Sequence, residues 1–230
     1  MKKILSFTIV ALFTFLLLEL SCFAFFSTFQ ERFTFFNPAE LTFDMKKIER
    51  AKRVFDAGLG WKHPYQTKFG ERPRDLSFPQ TWMATFGDSY THCDQVQNNE
   101  TYQHFLSKNL HMNVLNFGVG GYGTDQALLR FREAFPKVQS PVVAIGLITE
   151  NINRIVNVFR KFYYPKTALS LSKPRFMLTK DQNLTLIPNP IQSSTEIEKL
   201  ANPEFLATLA PYDYWYNRDQ YPRLSFPYSA

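Results

Sequence analysis

The chain has 230 residues, enough for one sizeable domain and an appendage. Hydrophobic residues make up 45% of the chain and charged residues 20%, which is typical of a globular protein and argues against a disordered one. The net charge of +6 is not gathered into a basic stripe, so the sequence predicts no nucleic-acid partner.

The first 26 residues form a hydrophobic segment. Lys2 and Lys3 precede an apolar run over residues 4–26 that contains a single charge, at Glu19. A membrane span needs about 20 apolar residues, and a charge within it is costly unless it lies near an interface or a partner. The segment is predicted to be an uncleaved anchor, and the positive-inside rule then puts the rest of the chain outside the cytoplasm.

Three other interpretations of this segment stay open. A cleaved signal peptide needs an apolar core of about 7–15 residues and a small-residue exit, for which residues 22–24 qualify. Residues 20–22 resemble a lipobox, and a buried helix would have the same composition. A secreted protein and a lipoprotein would both also lie outside the cytoplasm.

The chain contains two cysteines, Cys22 and Cys93. One lies in the hydrophobic segment and the other far along the chain, so we expect neither a disulfide framework nor a cysteine metal site.

Residues 27–75 are predicted to be a connector, since no clean hydrophobic period runs through them. A short basic helix is expected between Asp44 and Asp56. A loop region follows, in which glycine and proline recur at positions 58, 60, 64, 70 and 73.

From Thr81 the pattern alternates between buried strands and amphipathic helices. Strands are predicted over residues 82–86, 112–117 and 141–145. The first helix is expected to be capped by Asn98 or Asn99 and to end at Leu110, and Thr124 is expected to cap the second. Their predicted apolar faces consist of Tyr102, Phe105, Leu106 and Leu110, and of Ala127, Leu128, Phe131 and Phe135.

This order of strands and helices predicts a parallel sheet covered by helices. A β-hairpin near residues 175–188 is predicted after the third strand, with strands at 176–179 and 184–187. The tail from Asn202 has no clear period.

Three loops follow the three strands, where open parallel sheets bind their ligands. The first loop, residues 87–91, places Ser89 just past a strand end, where a serine can act as a nucleophile and its N–H can face an oxyanion. An ordinary Asp/Ser turn would look the same.

The second and third loops can each be interpreted either as part of a functional site or as an ordinary structural turn. Four glycines in residues 116–124 let the backbone approach a ligand or simply form a turn, and their spacing fits a dinucleotide site poorly. In the third loop, residues 146–153, Asn151 can donate to an oxyanion or cap a helix.

Together the three loops resemble the SGNH/GDSL ester hydrolases. The motifs are Gly87-Asp88-Ser89, residues 116–121 and residues 146–151, and the match covers about 76–190. The resemblance implies a flavodoxin-like α/β/α sandwich with a parallel sheet, and acyl transfer from an ester to water or another hydroxyl without a cofactor or metal. It assigns Ser89 as the nucleophile, and Ser89 N–H, Gly121 N–H and the Asn151 side chain as the oxyanion hole.

Two features depart from the family pattern. The third motif reads Glu150-Asn151-Ile152 where the family has Gly-Asn-Asp, and the sequence contains no Asp-x-x-His. Its four histidines stand at positions 63, 92, 104 and 111, and His92 is a weak candidate for the base. The hydrolase domain, residues 76–230, is therefore expected to be incomplete at its C-terminus, in a fragment or in a pseudo-enzyme.

The sequence thus predicts a membrane-anchored or secreted ester hydrolase or O-acyltransferase outside the cytoplasm. Its substrate would be a small acyl ester or an acylated glycan. The alternatives are a membrane-anchored binding or assembly protein without catalysis, and a structural protein without a ligand.

Overall fold

The computed structural model describes residues 2–29, 45–165, 167–216 and 226–229. The chain divides into two compact units, one comprising residues 1–40 and 217–230 and the other residues 41–216.

Helix α1, Lys2–Phe29, dominates the first unit. Its portion Ser6–Phe29 has 24 residues and a mean hydropathy of 2.4, and only 6% of its most apolar window is buried. Within the described ranges it is the one helix long and apolar enough to cross a membrane, a property it shares with signal sequences. The predicted hydrophobic segment is therefore an apolar helix that continues to Phe29.

Glu19, the charged residue inside this helix, is hydrogen-bonded to residues 228 and 229 of the same unit. The Glu19 carboxylate is buried and accepts hydrogen bonds from the backbone N–H groups of Tyr228 and Ser229 and from the Ser229 hydroxyl. The Phe15 and Phe226 rings meet edge to face, with centroids 6.1 Å apart. These contacts compensate a carboxylate that an apolar helix would otherwise leave without partners.

The second unit contains seven strands and seven α-helices within its described residues. The strands are β1 Phe55–Asp56, β2 Gly60–Trp61, β3 Thr81–Phe86, β4 Asn113–Asn116, β5 Val142–Ile145, β6 Arg175–Leu178 and β7 Leu184–Ile187. The helices are α2 Met45–Val54, α3 Ser89–His92, α4 Tyr102–Leu110, α5 Thr124–Val138, α6 Asn151–Ile155, α7 Arg160–Tyr163 and α8 Pro203–Thr208. Short 3-10 turns lie at Asn98–Glu100, Ser194–Ala201, Ala210–Tyr212 and Tyr214–Tyr216.

The central sheet is parallel and three-stranded, in the order β4-β3-β5. Ala84 in β3 stands opposite Leu115 in β4 and Val143 in β5. Helix α5 packs against β3, and the shared core comprises Ala84, Phe86, Leu115, Phe117, Ala127 and Ala134. The predicted alternation of strands and helices is confirmed, and the fold is mixed α/β.

Helix α4 differs from its predicted form in both its cap and its buried face. Its N-cap is Thr101, whose hydroxyl accepts from the His104 N–H, and not Asn98 or Asn99. Its buried residues are Gln103 and Ser107, whereas Phe105 is 53% exposed. The predicted apolar face of this helix was wrong.

Buried polar groups that need partners, most of them in the backbone, explain this polar burial. The Gln103 side chain donates to the Thr85 hydroxyl and to the Thr91 carbonyl, and the Ser107 hydroxyl accepts from the N–H of Val114 on the edge strand β4. Satisfying buried backbone groups outweighs burying another apolar side chain here.

Helix α5 follows its predicted course more closely. It begins at Thr124, but its N-cap is Gly123, whose N–H donates to the Gln126 side chain. Ala127 is buried as predicted, and Phe131 meets the Phe86 ring edge to face at 5.5 Å.

Residues 45–75 of the predicted connector pack within the second unit. Strands β1 and β2 pair antiparallel, and the Trp61 indole N–H donates to the Gly120 carbonyl at 3.0 Å. The Tyr122 hydroxyl donates back to the Trp61 carbonyl at 2.5 Å. This segment shares a second core with the C-terminal half of the unit, formed among others by Ile48, Leu59, Trp61, Tyr122, Phe159, Leu171, Ile191 and Leu200.

The predicted hairpin is confirmed as the antiparallel pair β6-β7, in which Phe176 stands opposite Leu186. The tail after Asn202 forms short helical turns, and it is held by the buried Asp213 carboxylate. That carboxylate accepts from the backbone N–H groups of Val158 and Phe159 at 2.6 and 2.9 Å.

Candidate active site

The three predicted loops start at the carboxyl ends of β3, β4 and β5. Because β3 lies between β4 and β5 and all three run parallel, the loops emerge at the same edge of the sheet. The sheet therefore brings together loops that are separated by more than 20 residues in the sequence.

The first loop is a crowded turn into the short helix α3. Asp88 is 2% exposed and caps α3 by accepting from the Tyr90 N–H at 3.0 Å. Ser89 is the first residue of α3 and is half-buried. A side chain at Gly87 would approach the Thr91 hydroxyl to 2.2 Å, so this turn needs glycine. Ser89 thus follows the strand directly, as the sequence predicted.

The second loop packs closely on the first. A Cβ at Gly118 would lie 2.3 Å from the backbone nitrogen of His92, which only glycine allows. Gly121 has a φ of +80°, in the region that favours glycine, and is half-buried. Among the described residues, no acceptor bonds its N–H, which is the group assigned to the oxyanion hole.

Asn151 connects the third loop to the other two. It is 2% exposed, and its side-chain oxygen accepts from the Ile148 N–H at 2.8 Å. Its side-chain nitrogen lies 3.1 Å from the Tyr122 carbonyl oxygen and 3.4 Å from an Asp88 carboxylate oxygen. Glu150 occupies the N-cap position of α6, so Asn151 is not the cap.

Two arginines line the same loops. Arg154 donates to the Asp88 carboxylate at 3.1 Å and to the Tyr122 carbonyl at 3.0 Å. Arg160 donates to the Gly121 carbonyl at 2.9 Å. Burial, and then the charge of Arg154, lower the pKa of Arg160 to about 10.

Neither arginine was predicted as a site residue from the sequence. For Arg154 one signal existed, because a residue three positions after Asn151 on a helix lies on the same face. Arg160 gave none, since the contact with Gly121 joins segments 39 residues apart.

His92, the weak candidate for the base, belongs to a different network. Its Nδ1 bonds the Asp94 carboxylate, and its Nε2 lies 2.9 Å from the Tyr65 hydroxyl. Because the carboxylate accepts, Nδ1 donates, and a neutral His92 then accepts from Tyr65. Among the described residues no histidine is hydrogen-bonded to the Ser89 hydroxyl.

His63 completes this second network by stacking. Its ring lies 4.1 Å from the His92 ring and 5.0 Å from the Tyr65 ring, measured between centroids. Burial, followed by the charge of His92, lowers the pKa of His63 to about 4. The hydrogen bond from His92 lowers the pKa of Asp94. His63 and Tyr65 come from the predicted loop region, where no local motif identifies them.

The arrangement offers a half-exposed serine, an unbonded N–H at Gly121, a buried amide at Asn151 and two cationic groups at one edge of the sheet. Such donors can stabilise negative charge that develops on a bound carbonyl. The roles assigned to Ser89, Gly121, Asn151 and His92 stay predictions. Comparison of the chain with models of protein families, with curated proteins and with solved structures gives no match in any of the three.

Proposed function

We propose that the chain is an ester hydrolase or O-acyltransferase of the SGNH/GDSL type, with Ser89 as its nucleophile. One observation carries the proposal: the Asn151 side chain bonds both Asp88 and Tyr122, so a single amide ties together all three loops of the sequence motif. An ordinary Asp/Ser turn, a flexible glycine turn and an isolated helix cap would not require this convergence.

The sheet gives further support for the finer fold assignment. In a flavodoxin-like sandwich the second and third strands flank the first, and ligands bind where the strand order reverses. The order β4-β3-β5 has this arrangement, with the Ser89 turn at the end of its middle strand. We therefore propose a flavodoxin-like α/β/α sandwich.

The chemistry proposed for this site is acyl transfer. Ser89 Oγ attacks the ester carbonyl carbon, and a base takes the hydroxyl proton and returns it to the alcohol as the ester C–O bond breaks. The Ser89 and Gly121 N–H groups and the Asn151 amide would hold the oxyanion in between. The 3.4 Å contact from Asn151 to Asp88 is the longer of its two bonds and would be the one released. Water or a second hydroxyl then takes the acyl group.

Helix α1 supports a location at or beyond a membrane. As an anchor with Lys2 and Lys3 on the cytoplasmic side, it would place the catalytic unit outside the cytoplasm. Small acyl esters or acylated glycans are the substrates that this location and the resemblance favour.

A second candidate function is binding or assembly without catalysis. Two observations favour it: within the described part of the chain no base contacts the Ser89 hydroxyl, and both hydrogen bonds of the Asn151 side-chain nitrogen go to groups of the protein itself. A serine without a base is a poor nucleophile.

Covalent labelling of Ser89 distinguishes the two candidates. The full chain in detergent micelles is treated with a fluorophosphonate, which forms a phosphorus–oxygen bond with an activated serine and releases fluoride. Because the Asp-x-x-His of the family is absent from the sequence, we expect slow labelling. Serine enzymes that lose a triad member retain a rate enhancement of about 10³–10⁴-fold over water, and the reactivity of Ser89 should not exceed that level. Labelling should disappear in Ser89→Ala and persist in Ser77→Ala, which removes an exposed serine.

Labelling that persists in Ser89→Ala would contradict the assignment of the nucleophile. A wild-type chain that is labelled no faster than Ser89→Ala would favour the binding function. Rapid turnover of a short-chain aryl ester that is lost in both Ser89→Ala and His92→Ala would identify His92 as the base.

A further inference from the structure

Three potential metal ligands lie together beside the candidate active site. His63 follows β2, His92 ends α3, and Asp94 follows two residues later. One donor atom from each of these side chains lies within 4.8 Å of the donor atoms of the other two. The cluster joins parts of the chain that are about 30 residues apart, so it is not a product of local sequence.

One ring nitrogen of His63 lacks a hydrogen-bond partner. Its Nε2 is buried and makes no hydrogen bond to any described residue. A buried polar atom without a partner is costly, and few native groups are left in this state without a reason. An imidazole nitrogen of this kind is among the commonest metal ligands in proteins.

Asp94 gives the cluster both a negative charge and access to solvent. Its side chain is 43% exposed, whereas that of His92 is 7% exposed. A Cβ at Gly120 would lie 2.9 Å from Asp94 Oδ2, so the glycine leaves room for the carboxylate beside the second loop. A cation can therefore reach the half-buried His63 and the buried His92 past the exposed carboxylate.

Neighbouring residues hold the turn that carries two of these ligands. Arg72 donates to the carbonyl oxygens of His92 and Cys93 and to the Asn98 side chain. Its charge opposes a cation in the cluster and so limits the affinity. Tyr65 places its hydroxyl 2.9 Å from His92 Nε2 and is available as a fourth group.

We infer that His63, His92 and Asp94 form a binding site for a divalent transition-metal ion of the Zn²⁺ class. Two imidazoles and one carboxylate suit Zn²⁺, Co²⁺ or Ni²⁺ and do not suit Mg²⁺, which prefers oxygen ligands. Three protein ligands leave one position for water or for Tyr65. Zn–N bonds are about 2.0–2.1 Å long, so donor atoms up to 4.8 Å apart must move closer by roughly 1–1.5 Å. The His63 and His92 rings, stacked with an interplanar angle of 23°, must also turn so that each points a nitrogen at the ion.

This inference does not depend on the ester chemistry. His92 must exchange one of its two hydrogen bonds, to Tyr65 or to Asp94, for the metal ion. The bound ion would connect the segment after β2 to the turn that carries Ser89. It would also bind His92, which is the histidine nearest to Ser89 in the sequence and the weak candidate for the base.

A competition titration of the full chain in detergent micelles tests the site. The protein is first stripped with a chelator and desalted, and Zn²⁺ is then divided between the protein and a chromophoric zinc chelator. We expect one Zn²⁺ per chain, at least tenfold weaker binding in His63→Ala and in Asp94→Asn, and no competition by equimolar Mg²⁺. His111→Asn, which replaces an exposed histidine, should bind like the wild type.

Co²⁺ supplies a spectroscopic check on the ligands. The wild type should show the intense visible absorption of four-coordinate Co²⁺, and His63→Ala should lose it while keeping its far-UV circular dichroism. If His63→Ala does not fold, Asp94→Asn decides, since its side chain is half-exposed. A wild-type chain that binds Zn²⁺ no more tightly than His63→Ala or Asp94→Asn, or that loses binding in His111→Asn, would overturn the inference.

Discussion

Two polar networks start from the turn that follows β3, and their carboxylates differ in burial. The Asp88 carboxylate is 2% exposed and accepts hydrogen bonds from Tyr90 N–H, Asn151 and Arg154. The Asp94 carboxylate, six residues later, bonds His92 and is 43% exposed. The first network is enclosed by the three loops, whereas the second opens to solvent.

This difference separates a supporting network from a network that can bind a ligand. Asp88 and Arg154 form a largely buried ion pair, and Arg154 also bonds the backbone of the second loop. Such a pair fixes the loops relative to one another, because losing either member leaves a buried charge. The second network keeps an exposed carboxylate and an unbonded buried nitrogen at His63, and both can accept a new partner.

The largest expected effect is on the buried carboxylate. Asp88→Ala should lower the free energy of unfolding by about 3–5 kcal/mol, because it leaves the Arg154 guanidinium buried without its ion-pair partner. Asp94→Ala should cost about 1 kcal/mol or less, as expected for a carboxylate in contact with water. Urea unfolding of the full chain in detergent micelles, followed by near-UV circular dichroism, measures both.

Asp88→Asn serves as the matched control because it keeps an acceptor at the N-cap of α3 while removing the charge. It should fall between the wild type and Asp88→Ala. Equal losses in Asp88→Ala and Asp94→Ala would show that the two networks do not differ as their burial indicates.

A smaller loss of stability is expected at Gly118, where the second loop contacts the turn that follows β3. Gly118→Ala should cost about 1–3 kcal/mol, because its Cβ would meet the backbone nitrogen of His92 at 2.3 Å, and backbone atoms in a packed turn cannot easily move. Gly58→Ala is the control, since its nearest contact would be an ordinary 3.5 Å from the Asp56 side chain. Thermal unfolding of the two variants measures the difference.

Comparable losses in Gly118→Ala and Gly58→Ala would mean that the general preference for glycine, and not the close approach to His92, determines the cost. In that case the second loop would not hold the turn in place, and both networks would depend on the first loop alone.

Regular local patterns in the sequence predicted much of this fold. The apolar runs at β3, β4 and β5 and the hairpin β6-β7 were located within one or two residues, since short apolar or β-branched runs bounded by turn residues are typical of strands. The apolar N-terminal helix was also predicted, because its length and composition alone define it.

The errors occurred where long-range hydrogen bonds override local pattern. Helix α4 buries Gln103 and Ser107 because Thr85, Thr91 and Val114 need partners, and no helical period contains that information. The capping by Thr101 and Gly123 depends equally on how the chain enters each helix.

The candidate site was predictable only in part. Ser89, Gly121 and Asn151 stand in motifs with a recognisable order, and the loops that carry them do converge at one sheet edge. Arg160, His63 and Tyr65 were missed because their contacts are formed across 27 to 39 residues by segments without a motif. The packing of Trp61 against Tyr122, which positions the segment before His63, is likewise non-local.

The smallest expected effect tests what orients His92. Tyr65→Phe removes the hydroxyl that lies 2.9 Å from His92 Nε2 but keeps the ring that stacks on His63 at 5.0 Å. The free energy of unfolding should fall by about 1 kcal/mol, the usual net contribution of one hydrogen bond, because the exposed side of the network lets water take part of the role. Tyr90→Phe, which removes a hydroxyl from a side chain that is 74% exposed, should change nothing measurable. Urea unfolding of both variants beside Asp94→Ala measures the effect.

If Tyr65→Phe matched the wild type, ring stacking and Asp94 would suffice to orient His92, and its Nε2 would be free to take a metal ion at no cost in stability. A loss as large as that of Asp88→Ala would instead show that the second network is as enclosed as the first, contrary to the exposure of Asp94.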